Sequence, residues 1–70
     1  MKQAEARRRI ILEFDVWARS EGLDHPNGTD GLRFFARMRS ERPEMLAFGC
    51  RGDHWEVVHG WLLNADRVSD

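Results

Sequence analysis

Cys50 is the only cysteine in the chain, so no disulfide can form within it, and a reducing compartment fits that usage. Tyrosine is absent and lysine occurs once, as Lys2. No apolar run approaches the ~20 residues that a membrane span needs. Met1-Lys2-Gln3 leads into a charged segment rather than an apolar one, so a secretory leader is not expected either. These absences predict a cytoplasmic protein with no membrane partner. An excess of either charge is also missing. Eleven basic residues face twelve acidic ones, for a net charge of −1, which gives no global attraction to nucleic acid or anionic lipid.

What remains is a short, folded chain. Its 70 residues make at most one domain, spanning 1–70. A core of that size rarely supplies more than about 3–5 kcal/mol. With disulfides excluded, self-association is the natural staple, so a homodimer is one expectation. Hydrophobic residues make up 41% and charged residues 33%, the balance of a solvated globular domain rather than a disordered tail.

The pattern is helical throughout. From Lys2 to Glu21 the chain is rich in helix formers. Ile10, Ile11, Phe14, Trp17 and Ala18 recur at the 3–4 spacing of one helical face. Leu12 and Val16 form a second, weaker stripe. Gly22 is placed to end the helix in the left-handed conformation. His25-Pro26 and Asn27-Gly28 mark a loop. Thr29 is the expected N-cap of a second helix reaching Ser40, with Leu32, Phe35 and Ala36 inward. Pro43 disfavours helix at Arg42 and opens a short helical turn to Phe48. Gly49-Cys50-Arg51-Gly52 breaks the chain. Asp53 then caps a third helix to about Ala65, with Glu56 completing a capping-box pattern.

The expected fold is therefore all-α: a small three-helix domain with an extra short helical turn between helices 2 and 3. The expected core is Ile10, Phe14, Trp17, Leu32, Phe35, Leu46, Phe48, Trp55, Val58 and Leu62. A small sheet pairing Met45–Phe48 with the Cys50 region is the competing arrangement.

Sites of chemistry are thin. His54 and His59 stand five apart and do not share a helical face, so with Cys50 and His25 they make a poor metal set. No phosphate loop, serine elbow or paired-carboxylate cleft is present. Neither a metal nor a cofactor is expected, nor is an enzyme. Arg51-Gly52-Asp53 spells an adhesion tripeptide, but Asp53 is better explained as a helix cap.

Surplus apolar surface is the informative feature. Each helix carries more than one inward stripe requires, leaving Leu12, Val16, Val57, Trp61 and Leu63 as candidates for a protein-interaction face. Two fates are open to that surplus: contact with a partner, or burial in a tightly built small core. Binding of DNA through a helix-turn-helix is the rival function, with its second helix starting at Asp53. Arg7, Arg8, Arg9, Arg33, Arg37 and Arg51 are the candidate contacts to phosphate or another anion. Against this, the third helix has no cation of its own and carries Glu56. Glu5 and Arg9, four apart, are placed to form an ordinary surface pair.

Three strings carry a resemblance: Arg7-Arg8-Arg9-Ile10-Ile11-Leu12-Glu13-Phe14, Gly31-Leu32-Arg33-Phe34-Phe35 through Met45-Leu46, and Gly52-Asp53-His54-Trp55 through Trp61-Leu62-Leu63. Together they resemble small uncharacterised proteins encoded by phages and prophages of proteobacteria. The resemblance implies a regulator, or an inhibitor that binds a host protein. It supplies no catalytic residue.

Overall fold

The computed structural model describes residues 2–70. Helix α1 spans Gln3–Ser20, α2 spans Gly28–Glu41 and α3 spans His54–Asn64, with a 3-10 turn, η1, at Pro43–Leu46 between α2 and α3. Among the described residues there is no strand, so the competing sheet at Met45–Phe48 does not form.

Helix α1 buries Ala6, Ile10, Phe14, Trp17 and Ala18, one stripe at helical spacing. It ends as its glycine dictates. Gly22 has φ of 70°. Its N–H donates to the Arg19 carbonyl at 3.1 Å, and the Leu23 N–H donates to the Ala18 carbonyl at 3.0 Å. These two bonds satisfy carbonyls that the helix end would otherwise orphan.

Helix α2 starts earlier than Thr29. Asn27 is its N-cap: the Asn27 side chain accepts from the Asp30 N–H, and the Asp30 carboxylate accepts from the Asn27 N–H, both at 3.0 Å. The reason is local. A cap at Asn27 places Asp30 where a reciprocal acceptor is needed, whereas a cap at Thr29 would place Leu32 there. Asn27 is exposed, so its replacement isolates the cap. Asn27→Ala is expected to cost about 1 kcal/mol, read as a lower midpoint in urea denaturation with an unchanged slope. A midpoint equal to wild type would show that the cap contributes nothing.

The inward face of α2 is also rotated from the expected one. Gly31, Phe34, Phe35 and Met38 are buried, while Leu32 is 49% exposed. Continued by seven residues, the stripe through Leu32 ends on Arg39, and the stripe through Gly31 ends on Met38. Burying an unpaired guanidinium is far costlier than exposing one leucine.

Both α3 and η1 pack against α1 and against α2. α1 and α2 reach each other through large rings. Phe14 meets Phe34 edge-to-face with centroids 5.1 Å apart, and Trp17 lies 5.6 Å from Phe34. In η1 the inward residue is Met45, and Leu46 is half-buried. Phe48, two residues beyond the end of the turn, is buried with Met45.

Asp53 caps α3 by accepting the Trp55 N–H at 2.9 Å. Val58 and Leu62 are fully buried, and Trp55 and Trp61 lie half-buried to either side. Asp66 ends this helix at a positive φ of 58°. The Arg67 N–H then bonds the Leu62 carbonyl at 2.8 Å. The last residues fold back onto the start of α2. Val68 is buried, the Ser69 N–H donates to the Pro26 carbonyl at 3.0 Å, and the Gly28 N–H donates to the Asp70 carboxylate at 2.6 Å. His59 Nε2 donates to the Asp70 main-chain oxygen at 2.9 Å. Gly31 lies under this return. A Cβ built on it would sit 3.3 Å from Trp55 Cη2 and 3.4 Å from Val68 Cγ1.

Candidate functional site

Each apolar candidate occupies a definite place. Leu12 and Val16 on α1 are 60% and 65% exposed, and Leu63 on α3 is 37% exposed. Val57 and Trp61 are half-buried and packed against the core. The Trp61 ring rests on Phe48 with centroids 5.0 Å apart. The structure thus divides the candidates: the α1 pair stands in solvent, and the α3 pair largely completes the fold.

Helix geometry explains the position of Leu12. At about 100° per residue, it lies opposite the buried stripe. The neighbours of Leu12 and Val16 on that outer arc are Glu5, Arg8, Arg9 and Arg19, all exposed. A groove of about 300 Å³ opens beside Val16, between α1, α2 and η1. Its floor is apolar, made by Trp17, Phe34, Met38 and Met45, and Glu13, Arg37, Glu41 and Arg42 stand among its lining residues. The groove follows from the fold: rings bridge α1 and α2, and the space beside them stays open. Sequence pattern did not reveal it. Its floor residues read singly as core, and only the spacing between the two helices makes them a floor.

Electrostatics sort the arginines into two kinds. Arg33 holds Glu21 at 3.1 Å and Asp30 at 3.3 Å, and lies over the Trp17 ring at 5.5 Å. Arg37 pairs with Glu41, Arg42 with Glu13 at 3.5 Å, and Arg67 with Asp15 at 2.7 Å. Arg7, Arg8, Arg9, Arg19, Arg39 and Arg51 have no ion pair to a described carboxylate, and Arg39 lies over the Phe35 ring at 5.9 Å. The expected Glu5–Arg9 pair is not among those formed. The two carboxylates at the middle of α1, Glu13 and Asp15, reach instead to arginines outside the helix.

No family model matches the chain, and neither the curated proteins nor the solved structures give a match.

The chemistry available to the remaining polar groups is modest. Among the described residues no cluster of three His, Cys, Asp or Glu could hold a metal ion. His54 Nε2 donates to the Phe48 carbonyl at 2.9 Å, and its ring lies 4.8 Å from Phe48. The His59 ring stacks on Trp55 at 4.8 Å. His54 thus ties α3 to Phe48, and His59 ties it to the C-terminal return through Asp70. Cys50 is half-buried, with Sγ 3.9 Å from the Gly52 carbonyl. Among the described residues no helix is long and apolar enough to cross a membrane. For DNA, the six candidate arginines lie on α1, on α2 and in the loop before α3. Those on α2, Arg33 and Arg37, already hold carboxylates.

Proposed function

We propose that the protein is a non-enzymatic binding module, a small cytoplasmic regulator or inhibitor of phage or prophage ancestry that docks on a host protein. Its contact surface is the outer face of α1 together with the adjoining groove. The exposure of Leu12 and Val16, 60% and 65%, carries this reading. They are two aliphatic side chains one turn apart, Val16 stands at the lip of an apolar-floored groove, and contiguous exposed apolar surface marks interaction sites. The tryptophan of this face is Trp17, in the groove floor, rather than Trp61.

Site-specific photo-crosslinking in the producing cell tests the proposal. A crosslinking residue at Val16 is expected to yield one discrete adduct with a second protein, and the same residue at Glu56 on α3 is expected to yield none. Leu12→Asp should abolish the adduct while leaving the thermal melt of the domain unchanged, since Leu12 buries little. An adduct of twice the protein's own mass would assign the face to self-association. Equal labelling from both positions, or none from either, would remove the reading.

A further inference from the structure

We infer that the segment docking on α1 is an acidic amphipathic helix of a partner protein, which lays its apolar stripe on Leu12 and Val16 and its carboxylates on Arg8, Arg9 and Arg19. This rests on the binding reading above and specifies its partner.

Arg8 and Arg9 precede Leu12 by four and three residues, and Arg19 follows Val16 by three, so on a helix all three share the exposed arc with the aliphatic pair. The apolar pair is therefore bracketed by guanidinium groups at both ends. None of the three forms an ion pair with a described carboxylate, whereas Arg33, Arg37, Arg42 and Arg67 each do. The acids that could have neutralised this arc, Glu13 and Asp15, are engaged by Arg42 and Arg67. Only Glu5 offsets it. The whole chain is −1, so the positive arc is a local feature rather than a general basic character. Guanidinium groups bind carboxylates in planar, two-bonded pairs, and a helix laid on a helix presents its anchors at the same 3–4 spacing.

Other occupants fit less well. In a second copy laid antiparallel, Leu12 would meet Val16 of its twin and Arg9 would then meet Arg19. Laid parallel about a two-fold axis, each Arg would face itself. Like charges across an interface suppress such pairings. A nucleic acid would satisfy the arginines but press phosphates against two aliphatic side chains. A lipid surface calls for a broader apolar face than one leucine and one valine provide. The groove supplies the remaining specificity. It can receive one large apolar anchor of the partner helix, over Trp17 and Met45.

The test uses the intact isotope-labelled domain, followed by amide NMR shifts during titration with three designed helical peptides. All carry leucines at i, i+4 spacing, with glutamate, glutamine or lysine at the flanking positions. The glutamate peptide is expected to move the amides around Leu12 and Val16, and to bind at least about tenfold more tightly than the glutamine peptide. Its affinity should fall as salt rises from ~0.05 to ~0.5 M and in Arg8→Gln and Arg19→Gln, whose exposed side chains leave the fold intact. Equal binding of the glutamate and glutamine peptides at these amides would overturn the acidic partner and leave the protein-binding reading standing. If no peptide moves these amides, or if a DNA duplex moves them at lower concentration than the glutamate peptide, both fall.

Discussion

Phe14→Ala is expected to leave the chain largely unfolded at room temperature. Phe14 is 1% exposed and is the largest fully buried side chain. It meets Phe34 at 5.1 Å and Trp17 at 5.8 Å, and through those rings it joins α1 to α2. Truncating a buried phenylalanine costs about 3–5 kcal/mol, and a core of this size supplies about as much in total. The space left would open toward the recess lined by Ala18, Leu23 and Pro26, and the Phe34 and Trp17 rings would lose the partner that joins them to α1. Circular dichroism should show loss of most helical signal. Phe14→Leu, which keeps most of the volume, should retain the fold at a cost of about 1–1.5 kcal/mol. A cooperative melt of Phe14→Ala close to wild type would mean that the helices are joined elsewhere.

Gly31 gives the second large effect, and of a different kind. Adding one methyl group here is expected to be nearly neutral. Gly31→Ala gains about 1 kcal/mol of helix propensity and loses a comparable amount against Trp55 and Val68, which a Cβ would meet at 3.3 and 3.4 Å. Gly31→Leu has no such balance. Its branches would drive into the Trp55 ring, Val68 and Leu62, whose Cδ1 lies 3.7 Å from the Cβ position. Overpacking of this sort costs about 3 kcal/mol at the upper end of its usual range. Urea denaturation followed by tryptophan fluorescence reads both variants. The leucine variant should also redden the native emission, because Trp55 is the residue displaced. A leucine variant as stable as wild type would show that α2 and α3 can part without loss.

The helices themselves were legible because each carries its own punctuation: Gly22 with φ of 70°, Pro43 at the head of η1, Asp53 before α3. The face of α2 is ambiguous in sequence because Leu32 and Phe34 compete for it, and only the stripes to which they belong, one reaching Arg39 and the other Met38, decide the matter. Burial of Val68 is hidden in sequence because Asn64-Ala65-Asp66 reads as a polar end. The return that buries it depends on Pro26 and Gly28, far away in the chain. Of the five surplus apolar candidates, Leu12, Val16 and Leu63 are exposed while Val57 and Trp61 pack against the core, a division that periodicity does not carry. Leu12 and Val57 look alike in sequence. What separates them is that α3 packs on both other helices while α1 presents its back to solvent. The groove was beyond reach for the same reason, since it is a distance between elements and not a property of any one of them.

The closure of Val68–Asp70 over the start of α2 couples two distant stretches of chain in one local opening event. If those residues peel away, the Gly28 amide loses its acceptor, the Ser69 amide loses Pro26, and the seam beside Gly31 is laid open at once. Hydrogen–deuterium exchange at Gly28 and Ser69 should then proceed with a common protection factor, lower than that of the α1 amides around Ile10 and Phe14, as befits a small cooperative unit that comes undone before the rest.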